Sequence, residues 1–238
     1  GGQGPAPQAQ CPGPDGGRPI NISVSGIYAR DRSRASAMAL VTDLRPSLFA
    51  DLSPDVAFLR GVDISLSGQL QIEADGGGDI RGMTIEVTGG EGSVSLPGVL
   101  PAIHRVKSVN ARATVNALAH TAQIDRIAVD FGATKILITG AGKRTPGGQT
   151  FGGRAEVQNI PVGRLGDYWP IPFAPGGRTW ALANLSGGEI DVAAEFGLST
   201  PDHDLAQLGV DRMVGMIDYR GMGVRYMPDM PELEGVSG

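Results

Sequence analysis

The stretch VDISLSGQLQIEADG, residues 62–76, decides the fold. It places Val62, Ile64, Leu66, Leu70 and Ile72 on one side of an extended chain and Asp63, Ser65, Ser67, Gln69, Gln71 and Glu73 on the other. A strand repeats every second residue, so this segment is a strand with one apolar and one wet face. The pattern continues in GDIRGMTIEVTGGEGSVSLPG (78–98), with Met83, Ile85 and Val87, then Val94 and Leu96. HRVKSVNARATVNALAHTAQIDRIAVDFGATKILITGAG (104–142) supplies three or four more strands, broken near Ala119–Ala122 and at DFGAT.

Strands also flank this centre. RPINISVSGIYAR (18–30) alternates Ile20, Ile22 and Val24, and DRSRASAMALVTDL (31–44) ends in a second strand. Downstream, FGGRAEVQNI (151–160) and GEIDVAAEFGLS (188–199) resume the alternation, the latter with Ile190, Val192, Ala194, Phe196 and Leu198. RMVGMIDYRGMGVRYMPDMPELEGVSG (212–238) reads as a last strand pair. Strands at roughly ten-residue spacing, separated by glycine turns, predict an all-β, mainly antiparallel, up-and-down meander. Leu44, Leu48 and Leu52 recur every four residues and predict a short helix over 44–52, its start restricted by Pro46.

The exception to this monotony is LGDYWPIPFAPGGRTWALANLSGGEI (165–190), which holds both tryptophans of a chain with only 5% aromatic residues. Pro170, Pro172 and Pro175 lack the N–H donor that a ladder requires, so strand pairing ends here. GRTWALANL predicts a short helix with Trp180 and Ala183 or Asn184 on one side, closed by Gly187 and Gly188. Trp169 and Trp180 are expected to anchor this insert over one rim or end of the sheet. The organisation is therefore a Gly/Pro-rich linker over 1–17, a first strand run over 18–160, the insert over 161–188 and a second strand run over 189–238.

Composition excludes several function classes. A net charge of −5 offers nothing to a polyanion, so no nucleic-acid partner is expected. No run of about 18 apolar residues would carry the chain across a bilayer as a helix. Cys11 is the single cysteine, has no partner for an internal disulfide, and is read as incidental. The absence of an initiator Met and of a closing element leads us to expect a piece of a longer protein.

No catalytic centre emerges. ITGAGKRT (138–145) evokes a phosphate loop, but Leu137 stands where the motif needs glycine and Arg144 where it needs Ser or Thr, so a hairpin turn is the reading. The carboxylates of Asp202 and Asp204 flank His203 without a second ligand cluster. Met213, Met216, Met222, Met227 and Met230 lack accompanying His or Cys, and read as adaptable apolar lining rather than as a copper site. No serine sits in a GxSxG elbow. NIS at Asn21 and NLS at Asn184 match the glycosylation acceptor pattern, which matters only in a eukaryotic secreted protein. Neither cofactor nor metal is expected.

The order YWP, spacer, GGRTWALANLSGGEI (176–190), alternating strand, then G-x-I-x-Y-x-G-x-x-V-x-Y-x-P-x-x-P-x-L-x-G-V-x-G (215–238) resembles the AsmA-like envelope proteins of Gram-negative bacteria. Within them it is most similar to the large YhdP type, a relative of TamB. DLRPSLFADLSP (43–54), GVDISLSGQLQIEAD (61–75) and GGEGSVSLPG (89–98) follow in the same order. The resemblance covers residues 18–238 and is most specific over 167–190; the family's membrane helix is not in this chain.

This resemblance implies a meander curled into an open groove or half-barrel with one or two short helices. It implies a periplasmic segment of an inner-membrane-anchored bridge, along which phospholipid acyl chains pass between inner and outer membranes. Lining residues are then Ile64, Leu66, Leu70, Ile72, Ile124, Ile136, Ile138, Val192, Phe196 and Leu198. The structural insert comprises Trp169, Pro170, Arg178, Trp180, Asn184, Gly187 and Gly188. From the residues alone three alternatives stay open: the same apolar face could be the core of a closed sandwich or barrel; the chain could be a structural or carbohydrate-binding β-sandwich module of a cell-envelope protein, with Tyr168, Trp169 and Trp180 stacking on sugar rings; and, third, it could be a hydrolase.

Overall fold

The structure, a computed structural model, describes residues 8–11, 20–28, 33–51, 54–171, 173–201, 207, 209–227 and 231–238, excluding the side chains of residues 8–11, 20, 28, 54 and 55. Leu52, Pro172, the Asp202–Asp204 cluster and Met230 lie outside the described residues.

The chain is mostly antiparallel β, in a large meander that does not close into a barrel, with few short helices. Its strands are β1 (Gln8–Cys11), β2 (Ile20–Tyr28), β3 (Arg34–Leu44), β4 (Val62–Asp75) and β5 (Ile80–Val94). There follow β6 (His104–Val106), β7 (Ser108–Asn116), β8 (Thr121–Asp130), β9 (Lys135–Thr145), β10 (Gly148–Pro161), β12 (Glu189–Pro201) and β13 (Gly209–Arg220). Each pairs with the next along the path β1-β2-β3-β4-β5-β7-β8-β9-β10-β12-β13, while β6 adds to the end of β5. A separate small sheet joins β11 (Leu185–Ser186), β14 (Met222–Val224) and β15 (Leu233–Val236).

Four expectations need correction. Gln8–Cys11, placed in a linker, forms β1 and covers part of the open edge of β2, whose unpaired backbone groups would otherwise face water. The helix over 44–52 is a 3₁₀ turn at Pro46–Phe49, because Leu44 is still paired with Leu66 and Pro46 cannot donate to a longer ladder. The last strand pair is divided: β13 joins the large sheet, but a turn at Gly221 (φ 62°) redirects β14 and β15 into the small one. The helix of the insert ends at Asn184 with Leu185 extended as its C-cap. Gly187 and Gly188 (φ 57° and 68°) instead turn β11 into β12, where a Cβ on Gly188 would lie 2.3 Å from the Arg220 carbonyl oxygen.

Because strands alternate in direction, their connections fall at two ends. One end carries the tight turns, 76–79, 117–120 and 146–147. The other carries the three longest connections between strands of the described meander: 45–61 with its 3₁₀ turns, 95–107 with β6, and the insert with helices α1 (Leu165–Tyr168) and α2 (Pro175–Asn184). The main buried cluster is there too, formed by Ile160, Val162, Leu165, Ala181, Ile190, Met222 and Val224. Each of the larger side chains removed from water contributes about 1.5–3 kcal/mol, and Ala181 less, so this end secures the sheet.

Register is interrupted by bulges at Val41/Leu44, Ile64/Leu66, Ile124/Ile127, Val157/Ile160 and Gly197/Leu198. At the fourth, Asn159 takes φ 56° and its N–H donates to Asp191 Oδ1 at 2.7 Å. The Arg220 guanidinium donates to the other carboxylate oxygen at 2.6 Å. Arg220 first, and the Asn159 N–H second, hold the Asp191 carboxyl below the ordinary carboxylate range. A lowered value means that Asp191 stabilises the fold above the usual carboxylate pKa, and that this contribution is lost as pH falls through the folded-state value. Asp191→Asn therefore costs about 1 kcal/mol at neutral pH, a figure kept small because the pair is partly solvated. In urea titrations from about pH 6 down to about pH 3, the gap between variant and parent should narrow; a gap that widens on acidification contradicts this assignment.

Candidate functional site

Residues paired across antiparallel strands share a face. Starting from Leu70, the register runs Val24, Ala39, Leu70, Ile85, Ala113, Ile124, Gly140, Gly153, Phe196, Met213, from β2 to β13. No polar side chain interrupts it. The row on one side reads Val41, Gly68, Val87, Ala111, Ile127, Ile138, Ala155, Ala194, Gly215. Beyond it come Leu44, Leu66, Gly89, Val109, Val129, Ile136, Val157, Val192, Ile217. On the other side stand Ala37, Ile72, Met83, Val115, Ala122, Gly142, Phe151, Leu198, Val210. Four neighbouring rows thus cross the sheet without a polar side chain.

All ten residues read as lining from the sequence lie on this one face, and the structure adds many more. The bulges make this possible. Val41 and Leu44, Gly89 and Gly92, Ile124 and Ile127, Val157 and Ile160, and Val210 and Met213 are each three apart, a step that would put one of each pair on the wet side of a regular strand. One extra residue at each bulge restores the parity.

The face is not a closed core. Ile64 is 2% exposed, beneath the long connections, yet Ile85, Met213 and Ile217 remain 37%, 48% and 54% exposed. The opposite face is mixed: beside the exposed Leu40, Leu137, Val214 and Met216 it carries ion pairs, Arg112 with Glu86 and Asp125, Arg154 with Glu156, and Arg220 with Glu189 and Asp191. Gln69 Nε2 donates to Glu86 at 2.6 Å. These solvated pairs contribute little to stability, because water and salt screen them, and they mark where the face meets water.

The insert seats on the long-connection end. His104 is 2% exposed and donates from Nε2 to the Asp167 carbonyl at 3.0 Å. Its ring meets those of Tyr168 at 4.7 Å and Phe131 at 5.3 Å. Trp169 packs against the buried cluster and donates from Nε1 to the Phe173 carbonyl at 2.8 Å, while the Pro170 carbonyl accepts the Phe173 N–H. Arg178 donates to the Gly166 carbonyl at 3.0 Å, tying α2 to α1, and the Asn184 amide donates to the Trp180 carbonyl. Ile171 N–H reaches the Val99 carbonyl at 2.8 Å.

Two side-chain expectations fail. Trp180 does not anchor the insert: Ala181, its neighbour, turns inward and leaves the indole 46% exposed. The methionines do not form one lining, since Met213 pairs with Phe196 on the apolar face, Met216 pairs with Ala193 on the opposite face, and Met222 is buried in the cluster. Nor do the aromatics of the insert make one platform, because Tyr168 and Trp169 are engaged internally and only Trp180 is open.

Among the described residues no group of three or more His, Cys, Asp or Glu could hold a metal, and no helix is long and apolar enough to cross a membrane. Comparison with family models, curated proteins and solved structures returned no match. The site's character therefore rests on its own geometry.

The different seating of the two tryptophans is measurable. Trp169→Ala should destabilise the protein by about 3 kcal/mol, and Trp180→Ala by less than about 0.5 kcal/mol, in urea unfolding. Equal losses would contradict the assignment of Trp169 as the anchor.

Proposed function

We propose that this chain is a non-enzymatic segment of a lipid-transfer bridge in a Gram-negative envelope, whose open apolar sheet face carries phospholipid acyl chains. The observation that carries this reading is the set of four unbroken apolar rows, partly open to solvent. Such a surface is costly in water unless something apolar occupies it. Each methylene transferred from water contributes about 0.8 kcal/mol, so the rows can hold a chain without any specific polar contact. Passage needs similar affinity from strand to strand, and rows of aliphatic side chains and glycines supply it.

The resemblance of 18–238 to the AsmA-like proteins supports the same reading. On that basis the segment belongs in the periplasm, within a protein anchored in the inner membrane, and serves outer-membrane integrity. The carbohydrate-binding alternative is less favoured, because its three aromatic residues do not share a surface.

A photoreactive amino acid placed in cells at Leu70 or Ile138 should capture phospholipid, whereas the same group at Gln71 or Leu137, on the opposite face, should capture about tenfold less. Capture of glycan, or equal capture from both faces, contradicts the proposal. Leu66→Asp with Phe196→Asp should stop lipid passage while the protein persists in the envelope. Loss of the protein itself would mean that these residues form a closed core.

A further inference from the structure

Phe151 and Phe196 are the two phenylalanines in the sheet, and both lie on the apolar face, in adjacent strands β10 and β12. Their ring centroids are 5.9 Å apart with planes 31° from each other. Side chains on a strand ordinarily stand away from the sheet. These two lie down across glycines. A Cβ on Gly140 would be 2.6 Å from Phe151 Cζ, and one on Gly142 3.2 Å from Phe151 Cδ2. One on Gly153 would be 2.8 Å from Phe196 Cζ and 3.2 Å from Phe151 Cε1. Any residue other than glycine at these positions meets a ring, so the three glycines and the two rings form one unit.

Two consequences follow. The rings add apolar contact where the three glycines would otherwise leave bare backbone, and together they cover that backbone across two strands. In the next row the members on β10, β12 and β13, Ala155, Ala194 and Gly215, have short side chains, so beside the plate lies a lower floor that ends at Ile138 on β9. Resting on the lipid-transfer reading, we propose that Phe151 and Phe196 form an aromatic plate that is the preferred resting position of an acyl chain on this face. The plate makes occupancy uneven: a chain dwells over β9 to β12 and moves more freely elsewhere. The bound group is a hydrocarbon chain, since the rings and glycines offer dispersion contacts and no hydrogen-bond partner.

The test is position-resolved labelling of the purified protein with a phosphatidylethanolamine that carries a diazirine in its acyl tail, followed by peptide mapping. Label on the peptides containing Phe151 and Phe196 should exceed that on the peptide containing Leu70 by about threefold or more. Phe151→Ala with Phe196→Ala should flatten the distribution while total labelling persists. Gly142→Val should lift the Phe151 ring and reduce its local excess by about half or more, with both rings still present. Gly142 is chosen because a Cβ there meets the backbone no closer than 3.2 Å, whereas Gly140 and Gly153 would each meet a carbonyl oxygen at 2.6 Å. The far-ultraviolet circular dichroism of each variant should match the parent. Leu137→Ala on the opposite face should leave the distribution unchanged. An even distribution in the parent, or an excess that survives removal of both rings, overturns the plate and leaves lipid transfer standing. Absence of label from the apolar face altogether overturns lipid transfer and the plate with it.

Discussion

Everything in this molecule depends on keeping strand parity. A side chain in a strand faces one way or the other, and a slip of one residue reverses every side chain beyond it. From β3 to β13 the pairing holds four apolar rows in line. The bulges preserve that alignment instead of disturbing it, because each absorbs one residue where the apolar spacing is three. Bulges and glycines also bend strands, as an open curved sheet requires.

The second constraint is that one end is closed and the remainder is not. Long connections, both helices and the small sheet gather at one set of strand ends, and the cluster around Ile160, Leu165, Ile190 and Met222 is buried among them. Trp169 and His104 secure the insert there. Stability is thus concentrated at the rim, so that the rest of the apolar face need not be covered by other parts of the protein. A closed sandwich would need a second layer over that face; Ile85, Met213 and Ile217 have none. About a dozen methylenes laid along the rows would gain about 10 kcal/mol, enough for a lipid to serve as the missing layer.

Much of this was legible in the sequence. The period-two run from Val62 to Glu73, repeated at regular intervals, was enough to predict the meander and the face carrying Ile64, Leu66, Leu70 and Ile72. Proline and glycine content located the insert, and its helix followed from GRTWALANL. What was hidden was the third-residue step. Ile124 and Ile127 look inconsistent with a strand until a bulge reconciles them, so an apolar pair three apart within an alternating run is the signal that was available. The pattern does not place the indole of Trp180, because helix phase depends on where the helix begins. α2 starts at Pro175, which turns Ala181 inward and Trp180 outward. The recumbent posture of Phe151 and Phe196 had no signal in either strand alone. It arises from glycines of β9 and β10 brought beneath the rings by pairing.

The claim that the apolar rows face an open trough is tested most directly by thiol accessibility. With Cys11→Ser removing the native thiol, Ile85→Cys places a single cysteine in the middle of a row, and Thr84→Cys places one on the opposite face as a reference. An open trough predicts that a maleimide modifies the thiol at residue 85 in the native protein within about tenfold of the rate at residue 84, and that added phospholipid slows residue 85 alone. Protection of residue 85 until the protein unfolds, with or without lipid, would mean that the rows are the interior of a closed core.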